Sequence, residues 1–259
     1  MTARLMLLLA ACLTSPLFAA QPGSPADVAQ YEWLTVTAKP EKLDRVHAWF
    51  RAHRDDVLAR HGGTNLAFLV PVGENREGRF VCLSRHPSSA AAARFRRDVQ
   101  ADPLWAPLDP AAQGPDSLVA QVAAVRLSPT AFSPEFTPSR SAEPRVFELR
   151  TYTCPSAEKL AFLHERFRNH TMKLFAKHGM ENLVYWQPVD MNDSERKLVY
   201  LLAHRSVDAA KESFTNFRKD PEWLAAREAS EKKAGGSLTE KEGGVVSEFF
   251  VATDDSPLR

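Results

Sequence analysis

The chain has only three cysteines among its 259 residues, Cys12, Cys82 and Cys154, and no two of them form a CxxC pair. That argues against a thiolate metal cage or a scaffold built on disulfides. Glycine is scarce at eleven residues, and no glycine-rich strand-to-helix loop of the phosphate-binding kind occurs. Gly235-Gly236 and Gly243-Gly244 sit in a polar stretch without that context. HExxH and GxSxG are missing, which removes two common hydrolase signatures, and no ligand set has metal-site spacing. Charge of one sign is also lacking. With 33 basic against 32 acidic residues the formal net charge is +1, so no field gathers nucleic acid or anionic lipid, and no nucleic-acid partner is expected. Past the first twenty residues no apolar run is long enough for a bilayer, so the mature chain is expected to lack a transmembrane span.

Residues 1–20 read as a secretory signal peptide. Arg4 supplies the positive start, Leu5 to Phe18 is apolar with Pro16 inside it, and Ala19-Ala20 is a small-residue cleavage site. The run Leu9-Ala10-Ala11-Cys12 also resembles a lipobox, which would put a lipid anchor on Cys12. Either reading makes the protein extracytoplasmic: periplasmic, secreted or, as the lesser alternative, a lipoprotein. Cys82 and Cys154 fall at non-equivalent places and are expected to be two buried, unpaired thiols.

What the chain has in quantity is self-similarity. Glu41-Lys42-Leu43 returns as Glu158-Lys159-Leu160, and Phe50-Arg51-x-His53 as Phe167-Arg168-x-His170. His61-Gly62, Asn65-Leu66 and Pro71-Val72 return as His178-Gly179, Asn182-Leu183 and Pro188-Val189, all 117 positions on. One residue later in offset, His86 matches His204, and Asp102-Pro103-x-Trp105 matches Asp220-Pro221-x-Trp223. A period this long points to a doubled domain, since solenoid repeats span about 20–50 residues.

Both copies carry the same order of signals. β-branched and aromatic residues mark strands at 31–37 and 146–153. Leu160, Leu163, Phe167, Thr171 and Leu174 recur at helical spacing behind a Ser156 cap, and Gly179 stops the helix. Hairpins follow at 64–72 with 79–86 and at 181–189 with 196–204, then helices at 88–101 and 207–220, then closing strands at 118–127 and 244–251. Each Asp-Pro-x-Trp is expected to cap and anchor the second helix. The expected organisation is residues 21–127 as a degenerate first copy, 128–145 as a proline- and serine-rich extended linker, and 146–252 as the second copy. The fold class is α+β: two ferredoxin-like βαββαβ repeats. Helices cover one face of each sheet, and the bare faces pack on each other to avoid exposing apolar area, giving a single-chain version of a dimeric α/β barrel.

Phe147 to Thr153, Arg166-Phe-Arg-Asn-His-Thr171, Lys177-His-Gly179, Leu198 to Leu202 and Phe217-Arg-Lys-Asp-Pro-Glu-Trp223 together resemble the NIPSNAP family of the dimeric α/β-barrel superfamily. The first copy is looser: Leu34, Val36 and Ala52 stand where the second has Arg150, Tyr152 and Asn169. The resemblance implies the barrel and no settled activity. It leaves open the chemistry of barrel relatives, cofactor-free monooxygenases and haem enzymes among them.

In the strand 146–153, alternation separates Phe147, Leu149 and Thr151 from Glu148, Arg150 and Tyr152. The first set suits the helix layer. The second is then expected to face the barrel interior, where a carboxylate, a guanidinium and a phenol can bind an acidic or carbonyl-bearing small molecule. The competing reading is a structural ion pair. His170, at the edge of the helix's buried face, is a candidate proton carrier or axial haem ligand, or a structural histidine. Trp186 can line a cavity or be core. The functional expectation is small-molecule binding in the barrel interior by Glu148, Arg150, Tyr152, His170 and Trp186. The alternatives are a protein–protein interaction module and a cofactor-free or haem-dependent oxygenase. A homodimer of two such chains stays open.

Overall fold

A computed structural model describes residues 28–112, 114 and 116–259. The expected leader and Cys12 lie outside the described residues. The first half runs β1 (Gln30–Ala38), α1 (Leu43–Arg60), β2 (Thr64–Pro71), β3 (Arg79–His86), α2 (Ser89–Val99) and β4 (Val119–Pro129). The second runs β5 (Val146–Thr153), α3 (Ala157–Arg166), a π turn (Phe167–Thr171), α4 (Met172–Lys177), β6 (Glu181–Pro188), β7 (Lys197–His204), α5 (Val207–Lys219), α6 (Pro221–Lys233) and β8 (Val245–Ala252).

Local chemistry sets the boundaries. Ser88, Ser156 and Ser206 each accept a hydrogen bond from a backbone N–H in the first turn of α2, α3 and α5. Gly62 and Gly179, at φ of +74° and +78°, turn the chain out of α1 and α4, a conformation that side chains with a Cβ resist. Asp220 ends α5 and at once caps α6 through Glu222 N, with Pro221 in the first turn. Asp102 does the same for a short 3-10 segment at Pro103–Leu108. So Asp-Pro-x-Trp starts a new element in both halves, but only the second grows it into a full helix. The polar stretch after Trp223 gave no helical stripe because α6 is a surface helix; Ala226 is its one buried residue.

The eight strands close in the order β1-β3-β2-β8-β5-β7-β6-β4. Each half is an antiparallel sheet ordered β4-β1-β3-β2 or β8-β5-β7-β6. Two short seams join them, Leu69–Pro71 against Phe250–Ala252 and Leu127–Pro129 against Trp186–Pro188. The barrel interior is one apolar core shared by both halves, with Tyr31, Trp33, Phe147, Trp186, Leu201 and Phe250 among its members. Two further cores lie between the sheets and their own helices. No helix among the described residues is long and apolar enough to cross a membrane. Cys82 and Cys154 are separate buried thiols, one in each helix-side core.

The segment after β4 is more than a spacer. Thr130 N donates to Tyr185 O, Tyr185 N donates to Ser133 Oγ, and Phe136 enters the interior core. Ser141 N donates to Arg259 O and Arg259 N donates to Ser139 O, which ties the strap to the C-terminal residues, and Leu258 joins Phe136 in the same core. Strap and tail together seal that side of the barrel core.

Candidate functional site

The alternation expected in β5 holds, but the two faces are exchanged. Phe147 and Leu149 pack into the barrel interior. Glu148, Arg150 and Tyr152 point to the helix layer: Arg150 lies 4.3 Å from the Phe214 ring centroid on α5, and Tyr152 packs edge-on against Phe167. The physical reason is partners: the interior core is walled by apolar side chains of both halves, while the helix side brings Tyr200, His204 and Ser247 within hydrogen-bond reach. The helix side tolerates charge once each charge has a partner.

Here every charge does. Glu148 is 1% exposed. Its Oε1 accepts from Arg150 Nη1 and Ser247 Oγ, both at 2.5 Å, and its Oε2 lies 3.0 Å from His204 Nε2. Arg150 Nε donates to Tyr200 OH at 3.0 Å. Burial pushes the Glu148 carboxyl up, but the hydrogen bond with His204, the Arg150 charge and the Ser247 hydroxyl outweigh it and hold it below the ordinary carboxylate range. A carboxylate with both oxygens taken and a guanidinium under an aromatic ring form a network that ties β5, β7 and β8 to α5, with His204 Nδ1 left unpartnered at its edge.

The first half solves the same problem differently. Leu34 and Val36 stand where Arg150 and Tyr152 stand, and the buried guanidinium comes from the helix instead. Arg54, at the position of Thr171, is fully buried and donates to Cys82 Sγ at 3.1 Å and Ser84 Oγ at 3.3 Å. Its neighbour His86 finds no hydrogen-bond partner for either ring nitrogen. Burial, then the charges of Arg54 and Arg96, pull His86 down to about 4.

The other two sequence candidates lie elsewhere. Trp186 is buried in the barrel interior, 5.5 Å from Tyr31 between ring centroids, with Nε1 unpartnered. His170 is exposed rather than at a buried edge, because the π turn rotates it off the apolar stripe. So the five residues occupy three separate places.

His170 does line a cavity. Between α3, the π turn and α6 lies a groove of about 140 Å³, lined by Phe162, Glu165, Arg166, Asn169, His170, Ala226, Ala229, Ser230 and Lys233. The wide turn is closed by Thr171 Oγ1 donating to Arg166 O at 3.2 Å, and such turns recur at functional sites. Arg166 is 6% exposed, stacked at 4.9 Å over the Trp223 ring. Nη1 reaches Ser230 Oγ at 3.3 Å, Nε has no partner, and the nearest carboxylate, Glu231, is 3.9 Å away. Burial therefore disfavours its charge more than Glu231 supports it.

The first half has a counterpart groove, lined in part by Ala48, Trp49 and His53, but Trp49 replaces Arg166 and meets Trp105 edge to face, where Arg166 lies over Trp223. Sequence reasoning missed Arg54 and Arg166. Their signal was available: each is an arginine set three or four residues from an apolar-stripe residue, Phe50 or Leu163, on the stripe's own face.

His170 does not fit a haem. A small groove edged by Glu165, Arg166 and Lys233 is not the apolar slot of several hundred Å³ that such a ligand fills. Among the described residues no group of three or more His, Cys, Asp or Glu side chains can hold a metal ion.

Two four-stranded antiparallel sheets closed into one barrel, with helices outside, define a dimeric α/β-barrel protein built within a single chain. Solved structures with this fold include a candidate monooxygenase from Lactobacillus acidophilus NCFM, 13% identical over 87% of this chain and 94% of that one, with a TM-score of 0.51. A second candidate monooxygenase, from Fusobacterium nucleatum, is 10% identical over 87% and 92%, with a TM-score of 0.52. A mutant chlorite dismutase from Candidatus Nitrospira defluvii is 7% identical over 86% and 91%, with a TM-score of 0.50. At these identities the likeness is one of fold. No curated protein matches the chain. By sequence, residues 147–256, within the second half, match the NIPSNAP family model.

Proposed function

We propose that this protein is an exported binder of a small molecule and that its site is the α3–α6 groove of the NIPSNAP half rather than the barrel interior. The observation that carries this is Arg166. A guanidinium almost fully buried, with a free Nε and no carboxylate closer than 3.9 Å, is costly in the empty protein and is repaid by a ligand. Tightly packed aromatic residues in the interior, and a Glu148 carboxylate with both oxygens already hydrogen-bonded, argue against a site at either of those places. Export is supported by Arg4, the apolar run Leu5 to Phe18 and Ala19-Ala20.

Native mass spectrometry of the full chain recovered from the cell envelope of its host tests both parts. The expected species is the chain cleaved after Ala20 with additional non-covalent mass, and that mass is absent from Arg166→Trp, which copies Trp49. An uncleaved chain in the cytoplasmic fraction overturns export. A retained mass that survives Arg166→Trp overturns the groove, and a bare wild type whose melting temperature does not move in its host's small-molecule extract overturns binding.

A further inference from the structure

We propose that the groove binds a short monocarboxylate, with the carboxylate on Arg166 and the apolar tail along Phe162 and Ala229. This rests on the groove being the binding site and adds the ligand's charge, size and number per chain.

Charge follows from counting what is already neutralised. Lys233, the other cation of the groove, gives two hydrogen bonds to Glu165, at 2.9 and 3.2 Å, and lies over Phe162. Glu231 is taken by Arg227 at 3.1 Å. One positive charge is left over, that of Arg166. A dianionic phosphate asks for a second free cation, whereas a monocarboxylate matches one guanidinium. Burial over the Trp223 ring and the hydrogen bond to Ser230 already restrict the guanidinium, so it meets a carboxylate with little further loss of side-chain freedom. Asn169, whose Oδ1 accepts from Arg168, adds an amide N–H donor to the groove wall, whereas the Ser230 hydroxyl already donates to Arg227 O.

Size follows from the volume. About 140 Å³, at about 30 Å³ per water, is the room of roughly five waters, enough for the carboxylate and inner carbons of a short acid whose tail end runs out along the groove. Phe162, Ala226 and Ala229 give that tail an apolar wall. The number per chain follows from the first half, where Ala48, Trp49 and Ala52 stand in place of Glu165, Arg166 and Asn169. That groove has no buried guanidinium, so one ligand binds per chain.

The test is titration calorimetry of the full chain at pH 7 with hexanoate, with hexanol and inorganic phosphate as comparators. Hexanoate is expected to bind at one per chain, hexanol not measurably, and phosphate neither to bind nor to compete. Arg166→Trp is expected to weaken hexanoate about ten- to hundredfold, the range of a charge-assisted hydrogen bond. Ala229→Leu fills the groove from the opposite wall without touching the guanidinium, and it should weaken hexanoate at least as much; it decides the matter should Arg166→Trp not fold. Phosphate binding that both variants abolish keeps the groove but overturns the monocarboxylate. Hexanoate binding unchanged by Ala229→Leu overturns both. If neither anion binds, the monocarboxylate falls, and the mass retained on the native protein then decides the groove separately.

Discussion

Glu148 and Arg150 show how a buried pair can mimic a binding site. Removing the carboxylate strands a guanidinium between sheet and helix, so Glu148→Ala is expected to cost about 3–5 kcal/mol in urea unfolding, as broken buried pairs do. Arg150→Leu, which copies Leu34, should destabilise the fold yet leave ligand uptake at its wild-type level. A Glu148→Ala loss under about 1 kcal/mol would show that the network is not structural. His86 and His164 carry a second expectation. Burial first, and neighbouring arginines second, bring each down to about 4, whereas the unfolded side chains take a proton near 6.5. Between those values the unfolded chain binds more protons, so stability is full above about pH 6.5 and falls toward pH 4. The Glu148 carboxyl is held down as well, so the stability it supplies is full above about pH 4.5 and is lost as pH falls below that. Melting temperature measured from pH 7 to 4 should decline and flatten in a His86→Phe, His164→Phe double variant. A slope unchanged in that variant rules the histidines out.

Among the elements, the α5–α6 corner concentrates the most roles in one side chain. Asp220 caps α6 through Glu222 N and pairs with Lys177 and His178, both at 2.8 Å, and these two hold its carboxyl well below the usual range. Asparagine keeps the cap but not the charge; alanine keeps neither. Asp220→Ala is expected to cost about 1 kcal/mol more than Asp220→Asn, the ordinary worth of a cap. Thermal unfolding of both variants measures it, and equal losses would mean that the ion pairs, not the cap, hold the corner. The same corner places Trp223, on which Arg166 stacks, so the element that the sequence did not reveal is the one that builds the groove wall.

For the molecule as a whole, the short seams matter. Each half loses a strand partner at both edges and exposes its share of the interior core when separated. Residues 146–259 expressed alone are therefore expected to pair with a second copy and rebuild the barrel as a homodimer. Light scattering after size exclusion checks this, and a stable, soluble monomer would show that the interior core is not what joins the halves.

Strand and helix order, the two-half architecture and the helix starts were legible in the sequence because they depend on local chemistry: alternation, apolar spacing, serine caps and left-handed glycines. The Phe147 and Glu148 faces were legible as faces but not as inside and outside, because either side of a sheet can be buried and only the tertiary packing decides which side gives the charges partners. His170 was legible as a helix residue. Its exposure was decided by the π turn, one extra residue that no spacing rule announces. Arg166 lies on the apolar stripe in the sequence as plainly as Leu163. Only the fold, by laying α6 and Trp223 across it and bringing no carboxylate closer than 3.9 Å, makes it a buried charge with weak support.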